Sequence, residues 1–448
     1  MEEKREYYDL TSYQKVMYFA LKYSPRKSIV NIGASLWFEE NIDTKLLEEA
    51  IYLAISRMDA MNLRLVKVGK VEKQYFSKEK PGKIEEIDCR NMTKEEVIKK
   101  MDKWTATSMK HKDCELYQFI ILNLANDCTT LYLKINHVIM DAWGLTVFTK
   151  DIIDIYFALQ HHKELPSPPE PFLPILEKDL EYDTSERREK DFQFLKERFQ
   201  IAPKFASINE KAIGKPYRLV SLRLKSRQKI YTLPKSKVNI IKDFCAKQRL
   251  SPQILFILAS QCYFFMLNNQ DESFIYNVVA RRSTAARKKA GGMMINIMPL
   301  RIECPKNLTF LEGCNRLINE QLTSFRHSDF PFEYISDYIK TKHAKGNKRA
   351  IFTDVSLTYQ LGKIDTEEEL KFTTRPHSNG CSGVGVYLTI MDAADLGTLD
   401  FIFEYNIACC NEELVSKVYY EMLKVIELGI ASPESTLEEI MDKIKSKS

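Results

Sequence analysis

Paired cysteines of the kind that bind zinc or exchange disulfides are missing from this sequence. Its 448 residues include 10 cysteines, but no Cys-x-x-Cys pair occurs, and only Cys409 and Cys410 are adjacent. The sequence therefore indicates neither a zinc knuckle nor a thioredoxin-like centre, and we predict no metal site. An apolar signal peptide is also missing from the first residues, Met-Glu-Glu-Lys-Arg-Glu. Reduced cysteines in a cytoplasmic protein are the expectation that fits both absences.

A membrane-spanning segment and a strong net charge are missing as well. The longest apolar run, residues 254–267, is interrupted by Ser260 and Gln261 and falls short of the roughly 20 residues that cross a bilayer. We expect a buried helix there and no membrane contact. The formal net charge is only +5 at pH 7, with basic and acidic residues interspersed, which disfavours a nucleic-acid-binding protein.

The sequence does contain enough apolar material for more than one core. Hydrophobic residues make up 44% of it, including 24 phenylalanines and 22 tyrosines, and 448 residues are too many for one ordinary core. Strand and helix patterns alternate up to a proline-rich stretch at residues 165–174, which can lie neither inside a helix nor in a central strand. A second alternating region follows. We predict a mixed α/β protein with two lobes, residues 1–175 and 176–448.

Residues 131–144 predict a strand, a tight loop and a helix in succession. Apolar and polar residues alternate up to Asn136, as in a half-buried strand, and after Gly144 apolar residues recur at three- and four-residue steps, as in an amphipathic helix. His137 is therefore expected at the strand-to-loop junction, where an imidazole with a pKa of about 6.5 can accept a proton near neutral pH. Asp141 is close enough to shape the loop, or to hold an arginine that does so.

The spacing of His137 and Asp141 is weak evidence when it is taken alone. The sequence has 7 histidines and many aspartates, and the probability of one such pair by chance is roughly one in three. The structural alternative is a strand-end histidine packed beside a turn aspartate.

Two later segments carry polar residues in similar settings. Residues 291–301 place paired glycines before a strand that contains Asn296, and residues 327–333 place His327, two acids and a proline just after a helix. Taken locally, the first segment is also explained as a loop that leads into a buried strand, and the second as a helix end followed by a turn.

Together these segments resemble the condensation domains of nonribosomal peptide synthetases, which belong to the chloramphenicol acetyltransferase-like superfamily. The family's His-His-x-x-x-Asp-Gly motif is similar to residues 136–144, Asn-His-Val-Ile-Met-Asp-Ala-Trp-Gly. Its Gly-x-x-x-Asn-x-x-Pro-Leu-Arg block is similar to residues 291–301, its His-x-Asp-x-Pro-Phe-Glu block to residues 327–333, and its opening, which usually ends in glutamine, to residues 8–14. The four blocks occur in the family's order over nearly the whole chain.

The resemblance implies two acetyltransferase-like lobes in a V, with a tunnel between them. Donor and acceptor would enter the tunnel from opposite sides, each tethered by a phosphopantetheine arm, and no intrinsic cofactor is implied. His137, from the first lobe, would orient or deprotonate the acceptor amine or hydroxyl as it attacks the donor thioester, and its N–H would also stabilise the tetrahedral oxyanion. Asp141 would be structural, pairing with an arginine to hold the loop.

Further structural residues follow from the same resemblance. Trp143 and Gly144 continue the motif and are expected to support the site. The arginine partner of Asp141 is expected from a family block whose second arginine falls on Asn62 of this sequence. Arg64, two residues further on, would share a strand face with Asn62 and is the candidate partner.

Four residues are expected to line the substrate channel: Asn136, Ala142, Asn296 and His327. Asn136 replaces the family's first histidine, which counts mildly against full catalytic competence, and Ala142 replaces the glycine after the aspartate. The extra methyl group restricts the backbone and would narrow the donor channel if the family's glycine keeps that channel open.

The leading functional prediction is a stand-alone acyltransferase of secondary-metabolite biosynthesis that forms an amide or ester from a carrier-bound thioester. No Leu-Gly-Gly-x-Ser carrier sequence occurs, so an acyl or peptidyl carrier protein is expected as a partner in trans, together with a small-molecule acceptor. The basic residues Arg281, Arg282 and 287–289 would meet an acidic carrier or the pantetheine phosphate, although a solvated basic loop is the simpler explanation.

Two alternatives stay open. One is an acyl-CoA-dependent alcohol or amine acyltransferase of the same superfamily, to which residues 361–365 and 383–387 are somewhat similar. The other is a non-catalytic, condensation-like domain that docks partner proteins. The two replaced motif residues favour docking, whereas the intact His137, Asp141 and Trp143 argue against it.

Overall fold

The structure is a computed structural model that describes residues 5–39, 41–212, 214–362, 364, 366, 370–393 and 396–446. Its strands, in chain order, are β1 (Tyr8–Asp9), β2 (Asn31–Phe38), β3 (Leu63–Val68), β4 (Val71–Phe76), β5 (Glu85–Asp88), β6 (Tyr117–Asn123), β7 (Thr129–Asn136), β8 (Arg218–Leu219), β9 (Ser226–Leu233), β10 (Glu272–Val279), β11 (Asn296–Glu303), β12 (Ala350–Ile351), β13 (Val355–Leu361), β14 (Phe372–His377), β15 (Val386–Ala393) and β16 (Thr398–Asn406). Its helices are α1 (Ser12–Tyr23), α2 (Thr44–Arg57), α3 (Lys94–Thr105), α4 (Ala142–Gln160), α5 (Leu173–Tyr182), α6 (Glu186–Arg198), α7 (Lys235–Gln248), α8 (Pro252–Asn268), α9 (Ala285–Lys289), α10 (Phe310–Arg326), α11 (Phe332–His343), α12 (Glu412–Ala431) and α13 (Leu437–Lys445).

The chain divides into two compact units, each assembled from three stretches of sequence. The first consists of Met1–Ser185, Ala280–Ile295 and Ile364–Cys381, and the second of Glu186–Val279, Asn296–Lys363 and Ser382–Ser448. The sequence predicts two continuous lobes, and their bounds stay a prediction. In the structure the first unit also includes two later stretches, Ala280–Ile295 and Ile364–Cys381. The predicted mixed α/β class is confirmed, because helices and sheets occur together throughout the chain.

A five-stranded sheet organises the first unit. Its strand order is β14-β2-β7-β6-β5, and the central pair of β2 and β7 is antiparallel, with Asn31 opposite Asn136. Successive side chains of a strand point to opposite faces. The apolar residues of β7 up to Ile135 pack in one core with α2 and α4, whereas Tyr132 packs with α3 on the other face. A three-stranded sheet of order β1-β4-β3 also belongs to this unit.

A six-stranded sheet of order β11-β10-β13-β15-β16-β9 organises the second unit. Helices α7, α8, α10, α12 and α13 contribute to its main apolar core. Residues 254–264 of α8 are all buried, so the predicted buried helix is confirmed. Among the described residues, no single helix has the length and hydropathy of a membrane span, and α7 and α8 reach them only as a pair bent by 104°.

Candidate active site

The loop of residues 137–141 joins β7 to α4 and presents His137. β7 ends at Asn136 and α4 begins at Ala142, so His137 is the first residue after the strand, where the sequence predicts it. Its backbone N–H donates to the carbonyl of Val30 at 2.7 Å. The residue is part-exposed. A histidine is therefore held at the end of a rigid element without being sealed from solvent.

The imidazole of His137 is favoured in its neutral form. Burial lowers its pKa from the ordinary value, and this effect exceeds the opposite influence of the Asp141 carboxylate and of the backbone carbonyls of His137 and Met140. Nδ1 is buried and makes no hydrogen bond of good geometry with any described residue, although those carbonyls are near enough to act electrostatically. A neutral imidazole has a lone pair that can accept a proton. The site therefore offers a base at neutral pH.

Asp141 anchors the far end of the loop. Its buried carboxylate caps α4, because Oδ1 accepts from the N–H of Gly144 at 2.7 Å. Oδ1 also accepts from Nη2 of Arg282 at 2.8 Å, and Oδ2 accepts from the N–H of Met294 at 2.9 Å. These bonds fasten the loop after His137 both to α4 and to the segment that contains Met294.

The prediction that Arg64 is the partner of Asp141 is wrong. Arg282 forms the ion pair, and the two side chains are 1% and 0% exposed. Asn62 belongs to a 3-10 helix that precedes β3, so Asn62 and Arg64 do not share a strand face. Arg64 is instead buried near Glu115, with 3.9 Å between Nη2 and Oε1.

The arginines of the predicted basic loop point into the first unit. Arg281 makes two bonds to the carboxylate of Asp179, at 2.8 and 3.1 Å, and Arg287 adds a third at 2.7 Å. The side chains of Arg281 and Asp179 are each 1% exposed. Since a buried carboxylate requires a compensating charge, these arginines are structural, and only Lys288 and Lys289 of the basic set are exposed.

Gly144 allows the first turn of α4 to pack closely. A Cβ atom on this residue would lie 2.5 Å from Sδ of Met140 and 3.2 Å from the backbone N and O of Gly292. Trp143, the preceding residue, donates from Nε1 to the carbonyl of Lys288 at 3.0 Å. Both motif residues therefore lie against the segment of residues 288–292, and their expected role in supporting the site stays a prediction.

The two motif residues that depart from the family lie at either end of the loop. Asn136 is buried, and its Oδ1 accepts from the N–H of Val138 at 3.0 Å. Its Nδ2 is buried and has no partner among the described residues. Ala142 is the first residue of α4 and is half-buried. Asn136 thus shapes the loop, and the expectation that both residues line a substrate channel stays a prediction.

Asn296, in the second unit, is a buried structural residue. Its Nδ2 donates to the carbonyls of Ser328 at 2.8 Å and Phe330 at 2.7 Å. Its Oδ1 accepts from the N–H groups of Ile297 at 2.9 Å and Phe332 at 3.3 Å. All the polar atoms of this side chain are used within the unit, so none is left for the substrate contact that the sequence suggests.

His327, also in the second unit, precedes the loop that Asn296 binds. Its Nδ1 lies 2.7 Å from Oδ1 of Asp191, and its ring stacks on Phe194 with 3.9 Å between centroids. The residue is part-exposed. Asn296 therefore binds the loop that directly follows His327, and the channel role expected for His327 stays a prediction.

A serine, a histidine and an aspartate line up in the first unit without forming a hydrolase site. His377 Nε2 lies 2.8 Å from Oγ of Ser35, and its Nδ1 lies 2.7 Å from Oδ1 of Asp102. Ser35 is 0% exposed, and its Oγ also accepts from Nε1 of Trp37 at 2.9 Å. Because a nucleophile must reach the substrate carbonyl, this relay is structural and fastens β14 to β2 and α3.

Comparison with known proteins shows one family over nearly the whole chain. The family model described as "Condensation domain" matches residues 4–445. Similar relatives include a surfactin synthase and a plipastatin synthase, both of Bacillus subtilis (strain 168). The chain is 26% identical to the first over 442 residues and 24% identical to the second over 435 residues, with 97% of this chain covered in each case. It spans only 12% and 17% of these relatives' own lengths.

Solved structures show the same fold. A substituted variant of the starter condensation domain of the rhizomide synthetase RzmA, in complex with C8-CoA, superposes with a TM-score of 0.84 at 16% identity, covering 96% of each chain. The first condensation domain of the calcium-dependent antibiotic synthetase, in complex with a substrate analogue, superposes with a TM-score of 0.82 at 16% identity, covering 97% of this chain and 99% of the other. The condensation-domain fold that the sequence motifs predict is thereby confirmed for the chain.

Proposed function

The chain belongs to the condensation-domain family, whose members are acyltransferases that form amide bonds, and we propose that it joins a carrier-bound acyl or aminoacyl thioester to an amine or hydroxyl acceptor. Condensation domains work with carrier proteins and acceptor substrates and use no intrinsic cofactor. The observation that carries the proposal is His137, a part-exposed imidazole favoured in its neutral form at the start of a loop whose far end is fixed by Asp141.

In the proposed reaction His137 accepts one proton from the acceptor and later donates it to the leaving group. Because Nδ1 is buried, the acceptor N–H or O–H meets the imidazole at Nε2. The acceptor nitrogen or oxygen attacks the thioester carbonyl carbon while its proton passes to Nε2. The C–S bond then breaks, and the departing sulfur takes up that proton. The products are an amide or ester and a free thiol, and the imidazole returns to its neutral form.

Asp141 and Arg282 supply the rigidity that this reaction requires. When two tethered reactants and a base are held in a fixed arrangement, the activation free energy is lower than for reactants that meet freely in solution. The difference is on the order of 7–11 kcal/mol at best. The buried ion pair holds the loop against the N–H of Met294, and neither charged group is exposed enough to take part in proton transfer. We therefore assign both residues structural roles in support of His137.

The proposed carrier lies outside these 448 residues, because they contain no Leu-Gly-Gly-x-Ser sequence. We propose that it acts in trans, in the cytoplasm, during the assembly of a secondary metabolite. The similarity to subunits of the surfactin and plipastatin synthases over nearly the whole of this chain supports a carrier-bound donor.

An acyl-CoA donor is the second candidate, and one observation favours it. A substituted variant of the starter condensation domain of the rhizomide synthetase RzmA is in complex with C8-CoA in its solved structure. The stretch of residues 361–365 that is similar to the CoA-dependent branch is described only in part, since Lys363 and Asp365 lie outside the described residues. A docking-only domain would need no neutral, part-exposed histidine on an anchored loop, so the site supports catalysis over docking.

Acyl transfer measured by mass spectrometry tests the proposal. Wild type, His137→Ala and the control His161→Ala, which alters an exposed histidine at the end of α4, are each given acyl- and aminoacyl-pantetheine thioesters, matched acyl-CoAs, and mixed amine and alcohol acceptors. Product from wild type and the control but not from His137→Ala is expected. Equal product from all three proteins would remove His137 from the chemistry, and the preferred donor distinguishes carrier from CoA.

A further inference from the structure

Two buried glutamines form a closed pair of amide hydrogen bonds in the first unit. Nε2 of Gln14 donates to Oε1 of Gln74 at 2.8 Å, and Nε2 of Gln74 donates back to Oε1 of Gln14 at 2.8 Å. Both residues are 0% exposed. Gln14 lies in the first turn of α1 and Gln74 on β4, so the pair joins a helix to a sheet away from water.

The remaining bonds of this amide pair reach three backbone groups. Oε1 of Gln14 also accepts from the N–H of Thr11 at 3.0 Å, and Nε2 of Gln74 donates to the carbonyl of Asp9 at 3.0 Å. Nε2 of Gln14 donates to the carbonyl of Val138 at 3.2 Å. A primary amide has two N–H donors, so every N–H of the pair has an acceptor and the orientation of both side chains is determined.

The contact with Val138 connects the amide pair to the candidate site, because Val138 directly follows His137. The peptide groups on both sides of His137 are held as well. The N–H of His137 donates to the carbonyl of Val30 at 2.7 Å, and the N–H of Val138 donates to Oδ1 of Asn136 at 3.0 Å. The bond from Gln14 fixes the next carbonyl along, which links the loop to α1.

We propose that Gln14 and Gln74 are positioning residues for His137, because their amide pair fixes the carbonyl of Val138 and with it the direction of the imidazole. The inference rests on the proposed function, in which His137 acts as the base. Gln14 acts on the loop directly, and Gln74 orients Gln14. A displacement of about 1 Å near the reacting groups can lower a rate about a hundredfold, so the pair bears on kcat more than on substrate binding.

Three variants separate the two glutamines. Gln14→Leu removes the bond to Val138 and is expected to lower kcat about ten- to a hundredfold with KM within about twofold. Gln74→Leu keeps that bond but frees the orientation of Gln14, and a loss of about three- to tenfold is expected. The double variant should lose no more than Gln14→Leu, because both residues act through one bond. It also leaves no unpaired amide between them, which favours folding.

A matched control and a second measurement make the test independent of turnover. Gln261 is a glutamine of 1% exposure in the second unit, and Gln261→Leu should lower the Tm without changing kcat. NMR titration of 13C-labelled histidine reports His137 directly, with its signal assigned by its absence from His137→Ala. A looser loop admits water, so the titration midpoint of His137 should move up toward its ordinary value in Gln14→Leu and stay unchanged in Gln261→Leu.

The outcomes are distinguishable. If Gln14→Leu lowers only the Tm, with kcat and the His137 titration as in Gln261→Leu, the glutamines are merely structural and the inference is overturned. If Gln14→Leu does not fold, Gln74→Leu and the double variant decide by the same two measurements. If wild type forms no acyl product, the proposed function fails, while the titration still decides for or against the positioning role.

Discussion

Arg282 and Asp141 form a buried ion pair, with 2.8 Å between Nη2 and Oδ1 and side-chain exposures of 1% and 0%. The same guanidinium donates to the carbonyls of Ala290 at 2.7 Å and Gly292 at 3.3 Å. The pair thus joins the loop after His137 to a segment far along the chain. A buried charge that loses its partner is much more costly than the pair is stabilising, so removing either side chain alone should destabilise the protein.

Arg282→Met is expected to lower the free energy of unfolding by about 3–5 kcal/mol, because it leaves the Asp141 carboxylate buried without a counter-charge. The double variant Arg282→Met with Asp141→Asn should be more stable than Arg282→Met alone, since an asparagine needs no counter-charge and still caps α4. Urea unfolding followed by circular dichroism measures both. A double variant no more stable than Arg282→Met would contradict the electrostatic explanation.

Gly144→Ala is expected to lower the free energy of unfolding by about 1–3 kcal/mol through overpacking. The added carbon would lie 2.5 Å from Sδ of Met140 and 3.2 Å from backbone atoms of Gly292, and the backbone atoms cannot move aside without shifting the segment. Gly383→Ala is the matched control, because a Cβ there meets nothing within 4 Å and should change stability by no more than about 0.5 kcal/mol. Similar losses of unfolding free energy in the two variants, measured by urea unfolding, would show that overpacking at Gly144 does not cause the destabilisation.

The position of His137 can be predicted from the sequence because its signals are local. Alternation ends at Asn136 and helical spacing follows Gly144, and each pattern depends only on residues a few positions apart. The structure begins α4 at Ala142 and leaves His137 at the end of β7. The apolar run at residues 254–267 is local in the same sense, and α8 is found there.

The partner of Asp141 cannot be predicted in this way. Arg282 lies 141 residues further along the chain, and nothing near either residue in sequence marks the pairing. Strand alternation does not extend from Arg64 back to Asn62, because the chain enters β3 from a 3-10 helix. Asn296 shows the same limit, since its amide binds backbone groups of residues 328–332, and backbone groups leave no sequence signal.

The rate of acyl transfer is expected to follow the deprotonation of His137. Burial holds the pKa of His137 below its ordinary value, which is about 6.5. The neutral form therefore already dominates at pH 7, and the acid limb of the kcat profile should have its midpoint below about pH 6.5 and fall about tenfold per pH unit well below it. Initial rates between about pH 5 and pH 8 measure this. His161→Ala should give the same profile, and a midpoint above the ordinary value would contradict the burial of the imidazole.

Lys134 is a buried lysine whose titration should change the stability of the protein independently of turnover. It lies on β7 with 3% exposure, and its Nζ donates to the carbonyl of Thr107, just beyond α3, at 2.8 Å. Burial lowers the pKa of Lys134 to about 8, whereas an unfolded lysine titrates at about 10.4. Between these values the unfolded chain binds more protons than the folded one, so the free energy of unfolding should rise with pH in that window. Below this window Lys134 is protonated in both the folded and the unfolded chain, and the full cost of burying its charge destabilises the folded protein.

The expected gain from Lys134 between about pH 8 and pH 10 is about 2 kcal/mol. Tyrosines and other groups titrate in the same range, so the measurement is a difference between wild type and Lys134→Met, each unfolded in urea at several pH values. The difference isolates the lysine, because every other group is common to both proteins. Lys134→Met should lack this rise in the free energy of unfolding. Relative to wild type it should be most stable near neutral pH, where the buried lysine of wild type is charged. Parallel pH dependence in the two proteins would mean that Lys134 keeps an ordinary pKa, which would require water or an anion to reach Nζ beside Thr107.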